Sequence, residues 1–210
     1  NSSLDDIVER AERRGLHAAG LWGMSEMQAL VSRRDRDDPA EMRKKGGGRL
    51  VSPRAEARVR DPETGELCAD GVAGELEIRG PSRMAEYFGD PASTAEALTE
   101  DGFVRTGDLA QMEPGGGFEY LTRMGDVLRL GGFLVSPAEI EAEVQVHASV
   151  AGVQVVSAPF GGADRPIAFV IPKDRVAFDA DQVQAHCAAR LAKYKVPAKV
   201  MPLDAFPVTE

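Results

Sequence analysis

The chain has 210 residues, 43% hydrophobic and 28% charged, with a formal net charge of −9. That length suits one large or two small domains of ordinary globular composition, each able to bury a core. The acidic balance argues against a nucleic-acid partner, which would require clustered Lys and Arg, and no apolar run approaches the roughly 20 residues that span a bilayer.

In chain order, Ser3-Leu4-Asp5-Asp6 predicts a helix start, with Ser3 capping and Asp6 as its box partner. Leu4, Ile7, Val8 and Ala11 form one apolar stripe, and Gly15 is the stop signal. Leu16 to Trp22 reads as a buried strand, with His17 as a core histidine. Helix then buried strand is the second half of a βαβ layer, so the chain is expected to start inside a larger α/β domain. Asn1 to Asp6 lacks a basic region followed by an apolar stretch, and Cys68 and Cys187 are far apart, so free thiols and a cytoplasmic location are expected. Arg43-Lys44-Lys45 followed by Gly46-Gly47-Gly48 predicts a mobile surface loop.

From Arg49 to Tyr120 the pattern changes to strands and tight turns. Val51, Ala55, Ala57 and Val59 alternate loosely, Asp61 to Gly65 is a turn, and Glu75 to Ile78 is a strand. Asp90-Pro91 opens a short helix through Leu98, and Asp101-Gly102 returns the chain to strand. Beyond Arg123, Pro137 to Val146 and Asp179 to Ala192 are amphipathic helices. Val153 to Ala158, Ile167 to Pro172 and Lys199 to Pro202 are strands, the first two joined through Gly161-Gly162. The expected fold class is α/β (α+β): the end of a large α/β domain over 1–122, with a small β subdomain at about 49–122, then a small α+β domain over 123–210, joined by a hinge.

The chemistry concentrates at Thr106-Gly107-Asp108, with Arg123 fifteen positions on. A carboxylate there can accept hydrogen bonds from both hydroxyls of a ribose, while the guanidinium meets ribose and phosphate oxygens. Upstream, Trp22-Gly23-Met24-Ser25-Glu26 offers an aromatic face for a base, a short hydroxyl for a phosphoryl oxygen and a hard carboxylate for Mg²⁺. His147 and His186 lack metal-ligand spacing, and Cys187 reads as core.

These segments, with Gly74 to Gly80 and Arg123 through Gly131-Gly132-Phe133 to Glu141, resemble in order the adenylate-forming, acyl-CoA synthetase superfamily. The resemblance implies an ATP-dependent acid–CoA ligase, the local context of Trp22 being most similar to ligases for fatty or other medium-to-long acyl acids. It implies nucleotide contacts from Trp22, Gly23, Met24, Ser25, Asp108, Tyr120 and Arg123, with Ser25 and Glu26 catalytic and Mg²⁺ at Glu26. CoA would pass Gly131, Gly132 and Phe133, where missing Cβ atoms admit a pantetheine arm. The hinge would lie at Gly125, where relatives usually carry Asp or Lys; glycine should ease rotation. Leu134 replaces a basic residue of some relatives, leaving phosphate contact there to Arg129.

The Gly-rich phosphate loop of the family has no counterpart here, and its C-terminal lysine would fall just past Pro207-Val208-Thr209-Glu210. The chain as written is therefore expected not to adenylate. The implied partners are a carboxylic acid and CoA or a carrier-protein thiol, and a homodimer is compatible with this reading. The alternative is a non-catalytic module that binds a nucleotide or a partner protein.

Overall fold

The computed structural model describes residues 4–207, with side chains from Ile7 onward. The expected Ser3 cap lies outside the described residues, as does the side chain of Asp6. The architecture is mixed α/β and divides into two compact units, Asn1–Met124 and Gly125–Glu210.

The first unit contains α1 (Leu4–Glu12), β1 (Leu21–Met24), β2 (Ala29–Arg33), α2 (Ala40–Arg43) and β3 (Gly47–Leu50), then β4 (Glu56–Arg60), β5 (Gly74–Arg79), α3 (Pro91–Ala97), β6 (Val104–Met112) and β7 (Phe118–Arg123). Its strands form one sheet in the order β1-β2-β3-β7-β6-β5-β4, with every neighbouring pair antiparallel. The sheet begins at Leu21, well before position 49. Trp22, Met27, Val31, Val59, Leu76, Ile78, Val104 and Phe118 supply its core, and burying each such side chain contributes roughly 1.5–3 kcal/mol. Asp90 caps α3 by accepting from Ser93 N at 3.0 Å, in keeping with Pro91 at the first helical position.

The second unit contains β8 (Leu128–Leu130), β9 (Phe133–Val135), α4 (Pro137–Gln145), β10 (Val150–Phe160), β11 (Ala163–Pro172), α5 (Ala180–Ala188) and β12 (Lys199–Pro202). β10 and β11 form a long antiparallel hairpin, and β12 adds to β11 in parallel. Ile140 and Val144 of α4 and Val183 and Cys187 of α5 are fully buried in one core with Val150, Val155, Ala168 and Val170.

Several expectations are corrected. Residues 16–20 are not a strand; β1 starts at Leu21, at the edge of an antiparallel sheet, and Leu16 and Leu21 are 63% and 60% exposed. His17 is exposed, not core. An apolar run alone does not distinguish a covered parallel strand from a one-faced edge strand, and here only alternate residues point inward. The basic run is packed rather than mobile. Arg43 is buried and pairs with Glu12, Lys44 with Glu9 at 2.9 Å, and Lys45 with Glu119 at 2.9 Å. Helix α5 stops at Ala188, and Leu191 packs on the core from the turn that follows. The β8–β9 hairpin is an addition: Gly131 and Gly132, at φ +59° and +86°, form its two-residue turn, a backbone that favours glycine at both places.

Candidate functional site

Asp108 and Arg123 face each other directly across β6 and β7, so the fifteen-residue spacing becomes a cross-strand pair. The Arg123 Nη1 lies 2.9 Å from Asp108 Oδ1 and donates to Thr106 O at 3.3 Å. Among the described residues, the Arg123 guanidinium is the partner the structure gives this buried oxygen. The other oxygen, Oδ2, accepts the indole N–H of Trp22 at 2.8 Å. The expected Thr-Gly turn is instead a bulge within β6, held from beneath: Thr106 Oγ1 donates to Leu76 O at 2.8 Å and accepts from Asp108 N at 3.1 Å.

Asp108 is only 2% exposed. Burial pushes its carboxyl above the ordinary aspartate value, against the downward pull of the Trp22 hydrogen bond and the Arg123 charge. Burial also raises Glu75, which a hydrogen bond from Gly107 N–H and the Arg105 charge partly offset. Two carboxyls beside one bulge of β6 are thus biased toward protonation by desolvation.

Trp22 itself is 7% exposed and meets Phe118 edge-on with ring centroids 5.6 Å apart. With its N–H on Asp108 and its edge on Phe118, the ring has little surface left for a base. Met24 and Tyr120 border the same core from partly buried positions. Tyr120 also packs on Gly46, where an added Cβ would sit 3.3 Å from the tyrosine side chain. The Gly46 carbonyl accepts from buried Arg34 at 3.2 Å, and Arg34 Nη1 reaches both Glu113 carboxylate oxygens at 2.8 and 2.7 Å.

Ser25 and Glu26 occupy a single 3-10 turn, Ser25–Met27, between β1 and β2. Ser25 is exposed and Glu26 half-buried. The turn closes through Gln28 and Ala29 at φ +59° and +83°, a strained backbone for residues with a Cβ. Gly23 makes the closure fit, since a Cβ there would overlap the Ala29 carbonyl. Tyr87 Oη donates to Glu26 Oε1 at 2.8 Å, and Met84 N donates to Glu26 O at 2.7 Å.

No group of three or more His, Cys, Asp or Glu among the described residues could enclose a metal ion. A lone half-buried carboxylate nevertheless fits Mg²⁺, which keeps several waters and takes one or two carboxylates plus ligand phosphates.

In the second unit, Phe133 follows the Gly131-Gly132 turn and is 54% exposed. It stacks on Tyr194, with centroids 4.4 Å apart and an interplanar angle of 17°. Lys195 beside it pairs with Glu139 at 2.5 Å. Gly125 is exposed, and an added Cβ would meet nothing within 4 Å.

Two family models match the chain. Residues 4–88 match the model described as AMP-binding enzyme, and residues 139–210 match AMP-binding enzyme C-terminal domain. The chain belongs to the AMP-binding, adenylate-forming enzymes. Among these adenylate-forming relatives, a feruloyl-CoA synthase of Amycolatopsis sp is 34% identical over 97% of this chain and 41% of its own length. A mitochondrial medium-chain acyl-CoA ligase of Danio rerio is 33% identical over 76% of this chain and 26% of its own.

Of the solved structures, ATP-bound MatB from Rhodopseudomonas palustris aligns with TM-score 0.81 at 30% identity, over 98% of this chain and 40% of that one. The O-succinylbenzoate coenzyme A synthetase (MenE) of Bacillus subtilis, in complex with ATP and magnesium ion, aligns with TM-score 0.78 at 27% identity, over 96% of this chain and 41% of that one. The chain therefore spans between 26% and 41% of the length of these proteins.

Sequence reasoning missed Tyr87 as the partner of Glu26 and Tyr194 as the partner of Phe133. Each pair is 61 positions apart, and nothing in local spacing announces either contact. Among the described residues, no helix is long and apolar enough to cross a membrane.

Proposed function

We propose that this chain is the nucleotide-holding part of an ATP-dependent carboxylic acid–CoA ligase acting on a fatty or similar acyl acid. The observation that carries this reading is the buried Asp108 carboxylate, held by the Trp22 indole on Oδ2 and paired with the Arg123 guanidinium on Oδ1. A carboxylate oxygen can accept more than one hydrogen bond, and ribose hydroxyls are fitting further donors. Arg123 would meet ribose or phosphate oxygens, Gly23, Met24 and Tyr120 would border the nucleotide, and Trp22 would act chiefly by holding Asp108.

In the first step a carboxylate oxygen of the acid attacks the α-phosphorus, and pyrophosphate departs as the bridging P–O bond breaks. Ser25 would donate to a phosphoryl oxygen as charge develops there. Glu26 would hold Mg²⁺, which when bound neutralises phosphate charge. In the second step the CoA thiol, after losing its proton, attacks the acyl carbonyl and AMP leaves. Gly131 and Gly132 would give the pantetheine arm room beside Phe133, and Gly125 would serve as the pivot between steps. The division of the chain after Met124 and the open space around Gly125 support that pivot.

Both steps are proposed for a protein of the relatives' length; for these 210 residues alone we propose nucleotide contact without turnover. The acyl class rests on the motif around Trp22 and on likeness to the medium-chain ligase. The feruloyl-CoA synthase makes aryl acids the competing class.

The test is pyrophosphate release by the full-length protein with fatty and aryl acids, using CoA or a holo-carrier protein as acceptor. Release that depends on a fatty acid, with a CoA thioester as product, is expected. Release with aryl acids alone would overturn the acyl assignment, and no acid-dependent release would overturn the ligase reading.

A further inference from the structure

The segment between β5 and α3, residues 81–90, is largely exposed, and Phe88 is fully so. Apolar burial therefore does little to hold it, yet it is tied down at both ends of a short polar chain. Met84 N reaches Glu26 O at 2.7 Å, and Tyr87 Oη reaches Glu26 Oε1 at 2.8 Å. Tyr87 N donates to Thr94 Oγ1 at 2.9 Å, and that hydroxyl donates to Asp90 O at 2.8 Å, at the capped start of α3.

A glutamate on a one-turn element would otherwise sample several rotamers, and fixing it costs conformational entropy. Tyr87 removes that freedom before any ligand arrives. We propose that Tyr87 is a positioning residue for Glu26: its phenol holds Oε1, leaving Oε2 as the oxygen offered to a hard cation. α3 and its cap serve as the anchor.

The inference rests on the reading of Glu26 as the metal carboxylate. Hydrogen-bonded partners of ligating carboxylates typically account for 10- to 100-fold in metal affinity.

The first measurement is calorimetric titration of the 210-residue chain with Mg²⁺ in the presence of AMP. Tyr87→Phe should weaken Mg²⁺ binding about 10- to 100-fold and should add nothing in a Glu26→Gln background. Unchanged Mg²⁺ affinity in Tyr87→Phe, where Glu26→Gln lowers it, would overturn the proposal.

The second is the Mg²⁺ dependence of adenylate formation by the full-length protein. Tyr87→Phe should raise the Mg²⁺ concentration for half-maximal rate about 10- to 100-fold, with the maximal rate nearly retained, and should add nothing in the Glu26→Gln background. A loss of maximal rate at unchanged Mg²⁺ dependence, or a further loss in the double variant, would count against it. Should Glu26→Gln itself leave Mg²⁺ dependence untouched, the metal reading of Glu26 fails and the positioning role falls with it.

Discussion

The Trp22 indole N–H donates to Asp108 Oδ2 at 2.8 Å across 86 positions of sequence. This bond joins the first strand of the sheet to the sixth. It also divides the labour on one carboxylate, with Oδ2 fixed by the buried indole and Oδ1 facing the exposed Arg123 guanidinium. A hydrogen bond to a charged group contributes roughly 1.5–3 kcal/mol. Asp108→Ala should therefore weaken AMP binding by about 10- to 150-fold, read by calorimetric titration of the chain. Trp22→Phe should weaken it by less while lowering stability more, because it leaves a buried carboxylate one donor short. Equal AMP affinity in all three proteins would remove the nucleotide assignment.

Charge burial at Asp108 has a pH signature. Its carboxyl holds a proton to higher pH when folded than the ordinary 3.8. Between those two values the folded chain binds more protons than the unfolded one, so this group's contribution to stability falls as pH rises. Above the window, the buried charge remains as a constant cost. Asp108→Asn removes that cost, and the exposed Arg123 loses little. The variant should be at least as stable as wild type near neutral pH, with its advantage shrinking as pH falls toward 3.8. Urea unfolding across that range checks the sign; an advantage that grows on acidification would contradict it.

Arg34 is 2% exposed and is neutralised by Glu113, whose side chain is 18% exposed. Removing the acid alone strands a buried guanidinium. Glu113→Ala should cost about 3–5 kcal/mol of stability, while the paired apolar replacement Arg34→Met/Glu113→Leu should recover much of it. A double-mutant cycle by denaturant unfolding tests the coupling, and additive losses would mean the pair does not act as a unit.

The two cysteines should separate in reactivity. Cys187 is fully buried, and burial pushes its thiol up to about 11; Cys68 is half-buried, its thiol raised by a milder desolvation. In the native chain a maleimide should label Cys68 first, with Cys187 reacting only as the second unit opens. Mass spectrometry of the singly labelled protein would expose the reverse order.

What was legible in the sequence was local or periodic. Asp90-Pro91 names its own helix start, and Ile140 and Val144 recur at helical spacing and are both fully buried. The Thr-Gly-Asp segment and Arg123 could be paired from the glycine turn between them, because a hairpin converts sequence distance into register. Leu16 misled because an apolar run carries no information about which sheet, or which edge, will receive it. The lysines after Arg43 read as solvated because their acids, Glu9 and Glu119, lie 35 and 74 positions away. Glycine at Gly131 and Gly132 suggested room for a ligand; its first physical cause is the positive φ that the β8–β9 turn demands.

The pairing of β3 with β7, Gly47 against Glu119 and Gly48 against Phe118, sets the order in which the Trp22–Asp108–Arg123 cluster can form. During synthesis β1, β2 and β3 emerge early, but they lack their central neighbour until some seventy residues more have been made. Until then the Trp22 indole has no carboxylate to meet, and the open edge of β3 is exposed to other chains. Such non-local pairings fold slowly and are prone to association while incomplete. Assembly of the Trp22–Asp108–Arg123 cluster and closure of the sheet are thus one late event, and a chain interrupted between β3 and β7 carries the motif residues of β1 without their partners.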